Sequence, residues 1–318
     1  MSASAPQVVT LGEALVLFAA NETGPLDRVK QFNKHAAGAE TNVATGLARM
    51  GIHTAWVSRL GNDSLGHFLL SHMQAENIDC SHVQMQPDGK TAFMLKTRQD
   101  DGGDPTIEYH RSNSAASHLK PDDIDIPWLT SARHLHISGV FPALSESTLA
   151  ATKLAMNVMR NAGRTISFDP NLRPALWGNE ERMRAVIDEL CAMADWVLPG
   201  MSEAQRLTGH HSVHEITAHY LSRGAQRVII KCGADAAWFQ ERGAPAPSCV
   251  KACSVERVVD TVGAGDAFAV GVISALLEGL ETAAAVRRGH WMGSRVIQSQ
   301  GDSEGLPTRE QWQQSGID

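Results

Sequence analysis

Short apolar runs alternate with longer stretches of helical periodicity along most of this chain. The runs at residues 8–11, 54–58, 134–137, 165–168, 196–198 and 227–231 read as strands. Helices are predicted over 40–50, 65–76, 146–161, 180–194 and 266–278, several ending near glycine, where helices commonly stop. Such alternation predicts βαβ units and a doubly wound, mainly parallel sheet, with right-handed crossovers placing helices on both faces. No internal repeat or low-complexity linker divides the chain, so residues 1–318 read as one α/β domain.

One segment breaks the rhythm. "TAFMLKTRQDDGGDPTIEYHR" (residues 91–111) reads as two strands around turn residues 100–105, a hairpin rather than a βαβ unit. In its second strand, period two places Ile107, Tyr109 and Arg111 on one face. A hairpin inserted into an α/β chain is either surface decoration or a lid, and two polar-tipped side chains sharing a face favour the lid.

Composition narrows the field. Hydrophobic residues make up 43% and charged residues 20%, ordinary for a globular protein. A net charge of −7, with no basic stripe, leaves no footprint for nucleic acid. The apolar stretch 267–277 is too short to span a bilayer, and "MSASAPQ" has no secretory pattern. Five cysteines without a CxxC pair read as reduced thiols, so a cytoplasmic protein is expected.

"DTVGAGDAFAVG" (260–271) carries the most chemistry. It follows a strand-like run and opens an apolar helix, but it is neither GxGxxG nor a P-loop. Successive unhindered N–H groups at such a glycine turn would form an anion-binding cup at the positive end of the helix dipole. An acid there, Asp266, makes sense if the anion arrives with a hydroxyl to be deprotonated, as in phosphoryl transfer. The dipole is then expected to keep Asp266 ionised. Acids in a helix first turn are also common for helical reasons alone, and the local pattern leaves both readings open.

The same motif resembles the C-terminal signature of the ribokinase-like (PfkB) carbohydrate kinases. "GAETNVATGLARMG" (38–51) is similar to that family's N-terminal signature, about 220 residues earlier, and the resemblance covers essentially the whole chain. It implies ATP- and Mg2+-dependent phosphorylation of a sugar-like alcohol, with Asp266 as base and Gly263, Ala264 and Gly265 as anion hole. It further implies a β lid from segments near 12–37 and 91–112, which in this family often pairs subunits into a homo-oligomer. Asp260 would lie near a monovalent cation such as K+.

"FDPNLRPALW" (168–177) follows a predicted strand, so Asn171 and Arg173 leave a carboxyl end, where open α/β sheets bind ligands. Arg173 from this loop and Arg111 from the hairpin could converge on one ligand. Two guanidiniums closing on a small molecule suggest a carboxylate, although internal salt bridges would use them as well. "YHRSNSAA", "DPNLRPALW" and "GDSEGLPT" resemble the branch of the family acting on 2-keto-3-deoxygluconate. That resemblance implies a sugar-acid site of Gly38, Asn42, Phe93, Tyr109, Arg111, Arg173 and Asp302. Nucleotide contacts would come from Asn171, Lys231 and Gly233.

The chain departs from the family pattern in places. "PGMSEA" offers Glu203 for the Mg2+ water shell, but Gly200 stands where many relatives have Asn. Ala39 and His290 are further departures. Kinases for 2-ketogluconate, fructose or another hexose derivative remain open, as does a sugar-acid-binding regulator without catalysis. "TGHHSVHEITAHY" misses the HExxH zinc pattern, because position 218 is Ala218, and reads as a helix start.

Overall fold

A computed structural model describes residues 5–99, 105–299 and 301–317. Thirteen strands are present among these: β1 Val8–Leu11, β2 Leu15–Thr23, β3 Phe32–Ala37, β4 Thr54–Gly61, β5 Val83–Gln86, β6 Phe93–Arg98, β7 Ile107–His110, β8 His134–Ser138, β9 Thr165–Asp169, β10 Trp196–Val197, β11 Arg227–Cys232, β12 Ala236–Glu241 and β13 Ser248–Lys251. Nine form the main sheet, in the order β13-β12-β11-β10-β9-β8-β1-β4-β5. Pairing is parallel from β5 through β11 and antiparallel for β12 and β13.

Strand β1 shows why the sheet needs cover on both sides: all four of its residues are buried. Val9 and Leu11 pack with Met156 and Ile187 of helices Glu146–Asn161 and Glu180–Met193. Val8 joins the opposite cluster with Val43 and Val270, from helices Ala39–Arg49 and Ala264–Leu277. Strands buried on both faces read as continuous apolar runs, which is the pattern the sequence carries.

Helix Ala264–Leu277 is apolar nearly all round because two other helices enclose it. Helix Ala39–Arg49 packs on it through Gly46, which faces Val270, and helix Thr282–Val296 approaches through Gly289. A Cβ on Gly271 would come within 2.5 Å of the Gly289 Cα, so only glycine permits this approach.

The segments expected to form a lid make up the second sheet, in the order β3-β2-β6-β7. Strands β6 and β7 pair antiparallel, as the hairpin reading expects; turn residues 100–104 lie outside the described residues. "TGHHSVHEITAHY" leads into helix Val213–Ser222, capped by Ser212 with Glu215 reaching back. His219 there bonds Asp188 at 2.9 Å, and among the described residues no group of three or more His, Cys, Asp or Glu side chains is placed to cage a metal ion. Nor is any described helix long and apolar enough to cross a membrane.

Candidate active site

The turn at 260–265 sits where two cavities meet. One, of about 680 Å3, lies between the lid and the carboxyl ends of the main-sheet strands. The other, of about 460 Å3, is lined by apolar residues of the β11–β12 region and helices Ala264–Leu277 and Thr282–Val296. Both are walled by Lys231, Thr261 and Gly265. Gly263 bends the turn with φ of 80°, and a Cβ there would strike the Asp302 carbonyl oxygen at 2.2 Å. Glycine is therefore obligatory on two grounds, backbone angle and space.

Asp266 is half-buried at this junction, its Oδ2 accepting from Asn42 Nδ2 at 2.8 Å. Burial pushes its pKa up to about 8; Asp169 and Asp302 push the same way, against Asn42 and Lys231. This corrects the expectation that the helix dipole keeps the carboxyl ionised. Desolvation and two neighbouring carboxylates outweigh a partial charge at the helix end.

Lys231 Nζ stands 2.5 Å from Asp169 Oδ2 and faces Gly265, whose Cβ would lie 3.6 Å away. Burial opposes its charge, yet Asp169, Glu203 and Asp266 hold its pKa above the ordinary value. A cation beside the amides of a helix-opening turn is equipped to hold phosphate.

The remaining expected residues divide. Gly38, Asn42, Tyr109, Arg111, Arg173 and Asp302 all line the larger cavity, as does Asn171, expected at the nucleotide. Ala264 and Gly233 line the apolar one, with His290, whose Nε2 donates to the Val250 carbonyl at 3.1 Å. Phe93 does not reach the cavity. Strand alternation turns it to the other face of β6, between Phe18 and His110, and brings Met94 to the cavity instead.

The two arginines are not equivalent. Arg111 Nη2 lies 2.5 Å from Glu13 Oε2 in a buried pair, and Glu13 Oε1 also accepts from Ser114. Arg173 is exposed, and its Nη1 donates only to the Leu172 carbonyl at 2.9 Å. Among the described residues it is the lining cation without a carboxylate partner.

Glu203 accepts from Leu172 N at Oε1 and from Gly200 N at Oε2, each at 2.7 Å, which orients the carboxylate and leaves one lone pair on each oxygen. The donor set fits Mg2+ brought in with a phosphate ligand rather than an all-protein cage: Glu203 and Asp169 would be the residues to hold the ion's water shell, and the ion would supply charge neutralisation there. Asp260 does not fit a free monovalent cation: its Oδ2 meets Lys96 Nζ at 2.5 Å and its Oδ1 accepts from Val262 N at 3.1 Å.

Glu13, Lys96 and Asp169 escaped the sequence reading. Glu13 and Asp169 stand at or just beyond the ends of apolar runs, a usable signal. Lys96 offers none beyond its place in the hairpin.

The pfkB family carbohydrate kinase profile matches residues 5–309. This chain belongs to the pfkB family. It is 46% identical over 303 residues to a 2-dehydro-3-deoxygluconokinase of Bacillus subtilis (strain 168), covering 95% of this chain and 93% of that one. The crystal structure of a PfkB protein from Polaromonas sp. JS666 superposes with a TM-score of 0.89 at 50% identity, over 97% and 99% of the two chains. A putative ribokinase II from E. coli, solved with ATP and Mg2+, superposes with a TM-score of 0.89 at 26% identity, over 97% and 98%. The family member described here is an ATP-dependent sugar kinase.

Proposed function

We propose that this kinase phosphorylates the terminal hydroxyl of 2-keto-3-deoxygluconate, giving 2-keto-3-deoxy-6-phosphogluconate. The observation that carries the reading is the meeting of a polar and an apolar cavity at one glycine turn, with Asp266 at the junction. The sugar acid enters the polar cavity under Tyr109, its carboxylate taken by the exposed Arg173 guanidinium. ATP places its base in the apolar cavity and its phosphates at the 263–265 amides and Lys231. Mg2+ on the phosphates offsets charge.

Asp266, once ionised and held by Asn42, takes the hydroxyl proton. The sugar oxygen bonds to the γ-phosphorus as the bond to the β–γ bridging oxygen breaks, and ADP leaves. A pKa raised by burial makes Asp266 a stronger base than an ordinary carboxylate. The similarity to a 2-dehydro-3-deoxygluconokinase supports the substrate choice.

ADP release should be measured with ATP and Mg2+ against 2-keto-3-deoxygluconate, 2-ketogluconate, gluconate, fructose and ribose. The expected result is a strong preference for 2-keto-3-deoxygluconate. Preferred turnover of fructose or ribose would keep the kinase and remove the carboxylate site.

A further inference from the structure

Lys96 is a lysine in an unusual place. It lies on lid strand β6, where alternation puts Met94 and Lys96 on the buried face, and it is 5% exposed. Its ammonium stands 2.5 Å from Asp260 Oδ2 and 3.6 Å from Asp302 Oδ1, and both carboxylates are almost fully buried. Two buried carboxylates side by side are unfavourable unless a cation joins them. The lid supplies that cation.

Both acids are built into the anion turn. Asp260 Oδ1 accepts from Val262 N at 3.1 Å, setting the first bend of the turn. The Asp302 carbonyl packs where a side chain on Gly263 would be. Lys96 thus grips the turn from before and beneath. A second tie runs in parallel: His35 Nδ1 of lid strand β3 meets Glu304 Oε1 at 2.5 Å, two residues past Asp302.

We propose that Lys96 is a positioning residue that serves as the resident cation of the anion turn. It joins Asp260 and Asp302, so that the amides of 263–265 are aligned for phosphate only when the lid is docked. The ammonium holds the place beside Asp260 where a free monovalent cation would bind, and the enzyme therefore works without one. This inference rests on the kinase reading of the site, and its test separates the two.

The first arm compares wild-type turnover in K+ and in tetramethylammonium, which is too large to enter. Equal rates are expected; a tenfold or greater dependence on K+ would overturn the proposal. In the second arm, Lys96→Met should lower kcat by about 10- to 100-fold while the KM values for sugar and ATP change by less than about threefold. That split marks lost alignment, whereas general loosening would raise KM and lower stability. A kcat within about twofold of wild type would overturn the proposal. The third arm needs no turnover. With the smaller Lys96→Ala variant, K+ should raise Tm relative to tetramethylammonium, and K+ or methylammonium should restore part of kcat, while wild-type Tm is indifferent to the choice. A wild-type Tm raised by K+ and not by tetramethylammonium would count against a resident lysine. Silence across all sugars would defeat the 2-keto-3-deoxygluconate reading, while the Tm arm would still report on Lys96.

Discussion

The two cavities that share Lys231, Thr261 and Gly265 are built on opposite principles. In the larger one, most charges are held in advance, Glu13 by Arg111, Asp169 by Lys231 and Asp266 by the Asn42 amide, while Arg173 is left open. The smaller one is lined by Ala252, Val255, Val258 and Phe268, which can hold a flat ring through burial alone. Where charge has to move, the protein fixes dipoles in advance; where a handle has only to be held, apolar area suffices. Substitutions in the paired cavity should therefore act in steps of orders of magnitude and differ sharply from one another.

The largest effect is expected at the junction. Asp266→Asn keeps the shape and the Asn42 contact but removes the base, so kcat should fall by roughly 10²–10⁴-fold with little change in KM. A variant with near-normal turnover would show that the hydroxyl proton goes elsewhere.

The two arginines come next, because they line one cavity in different states. Arg173→Ala should raise KM for a sugar acid by about tenfold or more and leave KM for a neutral sugar nearly unchanged, with normal Tm. Arg111→Ala strands Glu13 as a buried unpaired charge, which costs about 3–5 kcal/mol when one partner of such a pair is removed. Its signature should be a lowered Tm. Equal behaviour of the two variants would mean that the Glu13 pair opens to receive substrate.

This difference also marks how far the sequence could be read. The six strands and five helices it predicts are all present, each boundary within three residues, because parallel-sheet strands and buried helices write their burial into local periodicity. The strand-like run just ahead of the glycine turn, residues 254–259, is loop instead. Strands β5, β12 and β13 were missed: β5 and β13 are partly exposed throughout and carry no such signal. Gly263–Asp266 was legible since its chemistry is contiguous. The partners of that chemistry were not. Lys96 meets Asp260 across 164 residues and Glu13 meets Ser114 across 101, and no local pattern specifies such pairings. The two arginines expected to converge do line one cavity, but the acid that pairs with one of them was not identified.

The smallest effects concern the proton on Asp266, and they run in opposite directions for activity and stability. Its pKa, raised to about 8, means that the free enzyme must lose a proton to become active. The profile of kcat/KM should therefore rise with pH through an acid limb well above the ordinary carboxylate range. Asp302→Asn removes one of the negative charges that raise this pKa, so it should move the limb to lower pH. Stability follows the other sign. A carboxyl whose folded pKa exceeds its unfolded value binds its proton more tightly when folded, so its contribution is lost as pH rises from about 4 toward 8. Asp266→Asn escapes that loss. The variant should melt above wild type at pH 8.5, with the difference shrinking as pH falls toward 5. A Tm difference independent of pH would place the Asp266 proton outside the folding equilibrium and return the residue to the ionised state that its helix position alone suggested.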